Sequence, residues 1–262
     1  MKTRIILGDT HGHWKPIKDI YDNVKPDEVI LLGDYCDSFQ LTSQDIATCW
    51  NNIQKLKKKH KGLFYLIMGN HDWHYICGTE KYSGYKQGTW NVMHDVLSKA
   101  WDNKDIHIAY VDSINKTIYA HAGITNTWLN EWSNPPLDML DEVNEYGLNF
   151  SRISFDMYGD SKWQGPLWVR PSALVSDIYK DANDEAWTQI VGHTRTRNGK
   201  PILTAKDGTN SYDNPDNAIL WVIDTMPFYY VKETLNDNGK LIKRELISNA
   251  EVISSFIQGF KF

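Results

Sequence analysis

Apolar and polar positions follow a regular pattern over the first 70 residues of the chain. Three apolar runs have the length of a β-strand: 3–7, 28–32 and 63–68. Between them, residues 17–24 and 43–60 carry apolar side chains at helical spacing, and Thr42 and Asp45 form a capping box at the start of the second segment. This order predicts a β-α-β-α-β unit with parallel strands and right-handed crossovers.

The later part of the chain contains further strand patterns. They lie at 106–111, 117–120, 188–191, 218–223 and 228–231. The first two are close enough in sequence to form a hairpin. The last two flank a predicted turn at 225–227.

Residues 126–186 interrupt this pattern. The stretch is rich in Trp, Asn and Asp, and Leu137, Leu140 and Val143 recur at helical spacing. We interpret it as a helical insert in a single α/β domain spanning residues 1–262, because 262 residues with 41% hydrophobic content suffice for one large core. Four tryptophans of the insert either shape access to a site or cover the edge of the sheet: Trp128, Trp132, Trp163 and Trp168.

Polar residues that bind metals stand directly after the predicted strands. The blocks are Gly8-Asp9-Thr10-His11, Gly33-Asp34-Tyr35-Cys36-Asp37, Gly69-Asn70-His71-Asp72, Ala120-His121-Ala122-Gly123 and Gly192-His193. Since ligands bind at the carboxyl ends of strands in open α/β sheets, we expect these blocks to build one site. A single Asp-x-His more often caps a helix or satisfies a turn, so the prediction depends on the whole set.

The candidate ligands supply oxygen and imidazole nitrogen but no thiolate. They are Asp9, His11, Asp34, Asn70, His121 and His193. This donor set suits manganese, iron or zinc in a catalytic site better than a closed structural zinc site. Six side chains are too many for one ion that keeps a position open for water. We therefore predict two ions about 3.5–4 Å apart that share Asp34 as a bridge.

With these blocks in this order, the chain resembles the calcineurin-like metallophosphoesterases. Within that superfamily it most resembles the serine/threonine phosphoprotein phosphatases of phage and bacterial type, and the matching motifs run from Asp9 to His193. The resemblance implies a βαβαβ sandwich of two mixed sheets flanked by helices, with the helical insert beside the active site. It implies a hydrolase with two divalent metal ions, manganese first, with iron, zinc and nickel as alternatives.

The resemblance also distributes the ligands between the two ions. On the first ion it implies Asp9, His11 and Asp34. On the second it implies Asp34, Asn70, His121 and His193. The two ions would hold a bridging hydroxide in line with the phosphorus atom.

Further roles follow from the same motif matches. His71 would protonate the leaving oxygen, and Asp37 would orient His71. Asn70 would help to fix the phosphate. Arg170, in a Trp168-Val169-Arg170 segment like that of phage-type phosphatases, would grip the phosphate with its planar guanidinium.

Two positions distinguish branches of the superfamily. Nucleases and many cyclic-nucleotide phosphodiesterases carry Gly-His-x-His, but here Arg195 replaces the second His, as in the phosphoprotein phosphatases. Ser38 stands where family phosphatases usually carry an Arg that helps to hold phosphate. Arg195 or Arg197 could replace that Arg, or both could be solvated loop charges.

Three functions remain open at this stage. The first is a phosphomonoesterase acting on phosphoserine or phosphothreonine. The alternative is a nucleotide hydrolase or phosphodiesterase, for example a dinucleoside polyphosphatase, which Ser38 favours. The third is a binding module without catalysis, but such a protein should have lost ligands. The expected partner is thus a phosphorylated substrate, either a phosphoprotein or a nucleotide.

Net charge and cysteine content limit the expected partners and the expected cellular compartment. A net charge of -5 argues against stable nucleic-acid binding, which needs an extended basic surface. Three cysteines without paired spacing suggest reduced thiols in a cytoplasmic protein. We expect neither a signal peptide nor a membrane helix.

Four further residues near the motifs have no firm role in the resemblance. Asp72 and Asp224 are interpreted as structural acids. His13 and His74 lie within three residues of candidate ligands and could contact phosphate or support a ligand.

Overall fold

The computed structural model describes residues 1–78, 81–130, 160–196, 199–226 and 228–249. The described strands are β1 (Lys2–Leu7), β2 (Glu28–Leu31), β3 (Leu63–Leu66), β4 (Ala109–Asp112), β5 (Thr117–Ala120), β6 (Thr188–Val191), β7 (Ile202–Ala205), β8 (Ala218–Val222), β9 (Tyr229–Leu235) and β10 (Leu241–Ser248). The described helices are α1 (Trp14–Val24), α2 (Ser43–Lys59), α3 (Asn70–Cys77), α4 (Gln87–Asp102), α5 (Asn126–Asn130) and α6 (Pro171–Ser176), with a short 3-10 helix at Pro215–Asn217.

The first sheet contains the predicted β-α-β-α-β unit. Its strand order is β10-β9-β1-β2-β3, with β1, β2 and β3 parallel and β9 antiparallel to both β1 and β10. Helices α1 and α2 form the crossovers. The capping box at Thr42 and Asp45 is present, and Ile46, Trp50 and Ile53 of α2 are buried.

The second sheet has the order β4-β5-β6-β8-β7. Strands β4 and β5 form the predicted hairpin, and β5, β6 and β8 run parallel. The two late strands flank the predicted turn but lie in different sheets, because β9 pairs with β1 rather than with β8. Strand β10, which the apolar pattern did not predict, pairs with β9 at the edge of the first sheet.

The two sheets pack against each other through one apolar layer. Ile6 and Ile30 of the first sheet pack with Tyr119, Ile190 and Trp221 of the second. Helices α1 to α4 cover the outer face of the first sheet, and α5 and α6 pack on the second. The predicted sandwich of two mixed sheets flanked by helices is confirmed, and it fixes the strand ends that carry the site.

A buried ion network joins the sheets at the end of β1 opposite Asp9. The Arg4 guanidinium lies 2.7 Å from Glu28, 2.8 Å from Asp112 and 3.1 Å from Glu233. Arg244 of β10 adds a second cation, 2.7 Å from Glu233. Because every charge there has a partner, the network is a structural link between strands of both sheets.

The predicted insert is described only in part. Residues 131–159, which include Trp132 and the helical pattern of Leu137, Leu140 and Val143, lie outside the described residues. On the described flanks, Trp128 and Trp168 are buried, whereas Trp163 is 51% exposed. None of the helices described here is long and apolar enough to span a bilayer.

Candidate metal centre and active site

Two glycines let the ligand loops come into direct contact. A Cβ atom at Gly69 would lie 2.0 Å from Asp34 Oδ1, and one at Gly192 would lie 2.0 Å from Asp9 Oδ1. No side chain fits at such distances, so glycine is required at both positions. The main-chain N–H of His193 donates to Asp9 at 3.0 Å, which links the end of β6 to the end of β1.

Asp34 lies between two groups of imidazoles. Its Oδ2 is 3.9 Å from His11 Nε2, and its Oδ1 is 3.6 Å from His121 Nε2. Both separations are longer than a hydrogen bond. The N–H of His71 donates to Oδ1 at 2.9 Å and orients the carboxylate. The placement suits a carboxylate shared between two ions.

The imidazoles are held by backbone carbonyls. His11 Nδ1 lies 2.8 Å from the carbonyl of Asp37, His121 Nδ1 lies 2.8 Å from that of Leu32, and His193 Nε2 lies 3.2 Å from that of Trp168. A ring N–H that donates to a carbonyl leaves the other nitrogen unprotonated and free to bind a cation.

Asn70, the remaining candidate ligand, lies beside two of the imidazoles. Its Oδ1 lies 2.9 Å from His121 Nε2 and 3.1 Å from His193 Nδ1. Neighbouring ligands of an ion with bonds of about 2.1 Å are separated by similar distances. Burial lowers the pKa of His121 and, together with the charge of His121, lowers that of His193 well below its usual range. Both imidazoles are therefore neutral, as metal ligands must be.

Among the described residues, imidazoles are the basic groups that lie within 4 Å of the cluster's carboxylates. Asp9, Asp34 and Asp224 are all buried, and none of them has a Lys or Arg nitrogen within 4 Å among the described residues. Burial and the charges of Asp224 and Asp34 raise the pKa of Asp9 well above its usual range. Burying unpaired carboxylates is costly, and divalent cations would remove that cost. The residues present therefore fit a centre for divalent metal ions.

Beside this cluster, His71 and Asp37 form a pair. His71 Nδ1 donates to Asp37 Oδ2 at 2.8 Å. Burial opposes ionisation of both groups, but the charges of Asp34 and Asp37 raise the pKa of His71 to about 9, and hydrogen bonds from His71, His74 and Tyr75 lower that of Asp37 to about 2. These contacts favour the protonated imidazole, whose Nε2–H is not engaged by Asp37.

Two neighbours of Asp37 had no predicted part in this pair. The Tyr75 hydroxyl donates to Asp37 Oδ1, and the buried His74 Nε2 lies 2.8 Å from Oδ2. The N–H of Tyr82 donates to His74 Nδ1 at 3.2 Å, so the proton of a neutral His74 is on Nε2, facing Asp37. Although Asp37, His71 and His74 lie close enough to hold an ion, this tautomer favours hydrogen bonding over metal binding.

Arg170 reaches the ligand loops from the insert. Its Nη1 lies 3.3 Å from the carbonyl of His193 and 3.3 Å from Thr194 Oγ1. Burial lowers the pKa of the Arg170 guanidinium, and the charges of Asp160 and Asp224 oppose this shift. A guanidinium nevertheless stays charged at any physiological pH.

Ser38 is engaged within its own loop. Its hydroxyl accepts from the N–H groups of Gln40 and Leu41, and its carbonyl accepts from the Lys86 ammonium. Arg195 is exposed, and Arg197 lies outside the described residues. Lys86 therefore brings a cation to the loop in which family phosphatases usually carry Arg.

The Asp72 carboxylate binds backbone N–H groups, as expected of a structural acid. Its Oδ1 accepts from the N–H groups of Tyr35 and Cys36, and its Oδ2 accepts from Gly69. It thus ties the loop after β2 to the start of α3. Burial and the charge of Asp34 raise the pKa of Asp72 to about 8.

Several site residues adopt left-handed backbone conformations. Their φ angles are +42° at His11, +50° at Asp34, +58° at Asp37 and +61° at His193. L-residues rarely adopt this region, and each instance costs about 1–2 kcal/mol. The surrounding hydrogen bonds and packing therefore impose these turns against local preference.

Comparisons with known proteins agree with this geometry. The family model described as calcineurin-like phosphoesterase matches residues 3–223. The uncharacterized protein C1840.07c of Schizosaccharomyces pombe is 23% identical over an alignment of 228 residues, and the match covers 73% of this chain and 63% of that protein. The chain thus spans less than two thirds of the length of this relative.

Solved structures share the fold. The cold-active protein-tyrosine phosphatase of a Shewanella species matches with a TM-score of 0.57 and 16% identity, covering 94% of this chain and 80% of that one. A second structure of a cold-active protein tyrosine phosphatase matches with a TM-score of 0.58 and 16% identity, covering 94% and 78%. Similarity at 16% identity shows only that the two-sheet fold is shared. The family model, in contrast, matches most of the chain and shows the family. The chain therefore belongs to the calcineurin-like phosphoesterase family, whose model matches residues 3–223.

Proposed function

We propose that the protein is a two-metal phosphomonoesterase of the serine/threonine protein phosphatase type. The observation that supports this most is the 2.8 Å bond between His71 and Asp37, which lies beside a buried cluster of carboxylates and imidazoles. Proton donors next to a metal centre serve esters whose leaving oxygen needs a proton.

The residues divide between two ions. Asp9, His11 and Asp34 would hold the first ion. Asp34, Asn70, His121 and His193 would hold the second. When bound, two divalent ions, manganese first, supply Lewis acidity to the phosphate and lower the pKa of a water molecule towards neutrality.

His71 and Asp37 carry the proton transfer. His71 Nε2–H donates to the departing oxygen, while the Nδ1–H bond to Asp37 holds the ring in place. The neutral imidazole then regains its proton from solvent. Arg170 binds phosphate oxygens from the rim, because its guanidinium already lies against the loop of His193.

One observation favours a second candidate, a nucleotide hydrolase or phosphodiesterase. The site has no guanidinium at Ser38, and the Lys86 ammonium near that position is bonded to the carbonyls of Ser38 and Leu41. A pocket with one Arg clamps the extra charge of a monoester dianion less strongly than a pocket with two.

Substrate comparison tests the proposal. The manganese-loaded protein is assayed for kcat/KM on phosphoserine, phosphothreonine and phosphotyrosine peptides, a dinucleoside tetraphosphate and bis-p-nitrophenyl phosphate. The phosphotyrosine peptide is included because the matched solved structures are named as tyrosine phosphatases. We expect the phosphoserine and phosphothreonine peptides to lead by at least about tenfold. A lead for the tetraphosphate or the diester would favour the second candidate.

A further inference from the structure

Asp224 stands at the same edge of the second sheet as a metal ligand. It follows β8, which pairs in parallel with β6, the strand that leads to His193. The pattern of an apolar strand followed by an acid is the one that also delivers Asp9 and Asp34. Its position therefore matches that of the ligands, although the sequence pattern alone had suggested a structural role.

The neighbourhood of Asp224 includes the first group of ligands. A Cβ atom on Gly8 would lie 2.2 Å from the carbonyl oxygen of Ile223 and 3.4 Å from the Cα of Asp224. The backbone before Asp9 and the backbone at Asp224 are thus in contact across the two sheets.

Among the described residues, none makes a hydrogen bond or ion pair with the Asp224 side chain that would explain a structural role. The residue is only 8% exposed, and across the described parts of the chain its side chain makes no hydrogen bond or ion pair. Asp72 provides the contrast, since its two oxygens accept three backbone N–H bonds. A buried carboxylate without a donor is unfavourable unless a cation is bound nearby.

We propose that Asp224 belongs to the site of the first divalent ion and stabilises that ion with its carboxylate. This proposal rests on the proposed two-ion function. It gives the first ion an additional negative charge in a chain whose Gly192-His193-Thr194-Arg195 block offers no second imidazole. Asp224 would thus compensate for the ligand that other members of the superfamily take from that block.

Manganese titration of the metal-free protein tests the proposal without any substrate. Calorimetry and the electron paramagnetic resonance signal of free Mn²⁺ give the number of ions bound and their Kd values. The variants are Asp224→Asn, Asp224→Ala and, as a matched control, Asp213→Asn at an exposed aspartate of the preceding loop. We expect both Asp224 variants to weaken one of two Mn²⁺ sites about 10-fold to 100-fold, and the control to match the parent.

Thermal unfolding separates this role from a structural one. Without metal, Asp224→Asn should have a Tm equal to or above that of the parent, because a buried unpaired charge is removed. Its rise in Tm on adding Mn²⁺ should be smaller. Unchanged Mn²⁺ affinities in both Asp224 variants would overturn the inference, whatever their Tm. A parent protein that binds fewer than two Mn²⁺ ions would instead refute the proposed two-ion function.

Discussion

Replacing His71 by Asn tests how the site handles the leaving group. The substitution removes the Nε2–H donor and the Nδ1 bond to Asp37 but keeps a polar side chain in the first turn of α3. The charges of Asp34 and Asp37 raise the pKa of the imidazole to about 9 against the effect of burial, which favours the protonated form that a proton donor needs. A donor that is already protonated contributes its full effect at neutral pH.

The size of the effect depends on the ester. General acid catalysis is worth about 10²–10⁴-fold, which at 1.36 kcal/mol per factor of ten is roughly 3–5 kcal/mol of transition-state stabilisation. An alkyl phosphate should lose this amount, because an alkoxide leaves poorly without a proton. p-Nitrophenyl phosphate should lose far less, because its leaving group departs as a stable anion.

The assay measures kcat for both ester types in the parent, His71→Asn and a control, with manganese content measured for each preparation. His60→Asn is a suitable control. His60 caps the end of α2, and its ring bonds to the Tyr21 hydroxyl and to the Asp27 carbonyl rather than to a candidate site residue. Equal losses on alkyl and aryl esters at full metal content would show that His71 is not the proton donor.

Four further substitutions test other parts of the molecule. Asp34→Asn should lower Mn²⁺ affinity and cut turnover by several orders of magnitude while the fold persists, because Asn tolerates the left-handed φ of +50°; full metal content with a near-normal rate would exclude bridging. Arg170→Ala should reduce kcat/KM on monoesters by roughly 1.5–3 kcal/mol, and on diesters by less; no change on either would show that it does not bind phosphate. Ser38→Arg should raise the kcat/KM ratio of p-nitrophenyl phosphate to bis-p-nitrophenyl phosphate. An unchanged ratio would argue against a phosphate contact from an Arg at position 38. Burial and Lys57 lower the pKa of His107 from 6.5 to about 4, so the unfolded chain takes up the proton first and stability falls as pH drops through this range. In urea unfolding over this pH range, the free energy of unfolding of His107→Gln should fall by roughly 1–3 kcal/mol less than that of the parent. An identical pH dependence in both proteins would contradict a destabilising role of His107 at low pH.

The parallel strands, and the polar blocks that come together at their ends, were predictable because the signal is local. An apolar run, a glycine and a metal-binding residue lie within a few positions of each other, as at Leu32, Gly33 and Asp34. The capping box at Thr42 is equally local, since its partner is three residues away.

Tertiary contacts decided the features that the sequence did not reveal. Strand β10 is only partly buried and is held by pairing with β9, so its apolar pattern is weak. The separation of β8 and β9 into different sheets depends on β1, more than 220 positions away from β9 in sequence. Tyr75 and His74 face Asp37 only because α3 packs beside the loop after β2. Asp224 follows an apolar run as the candidate ligands Asp9 and Asp34 do, and that signal could have suggested the role that we propose for it.

The left-handed turns have an evolutionary consequence. Glycine would relax the backbone at His11, Asp34, Asp37 and His193. It would also delete an imidazole or a carboxylate, so mutations that improve folding there are the ones expected to abolish the proposed chemistry. Together the four turns consume a sizeable part of a net stability that is typically only about 5–15 kcal/mol. Selection for a more robust protein must therefore act on the core and the surface, while these four positions remain a fixed trade-off between activity and stability.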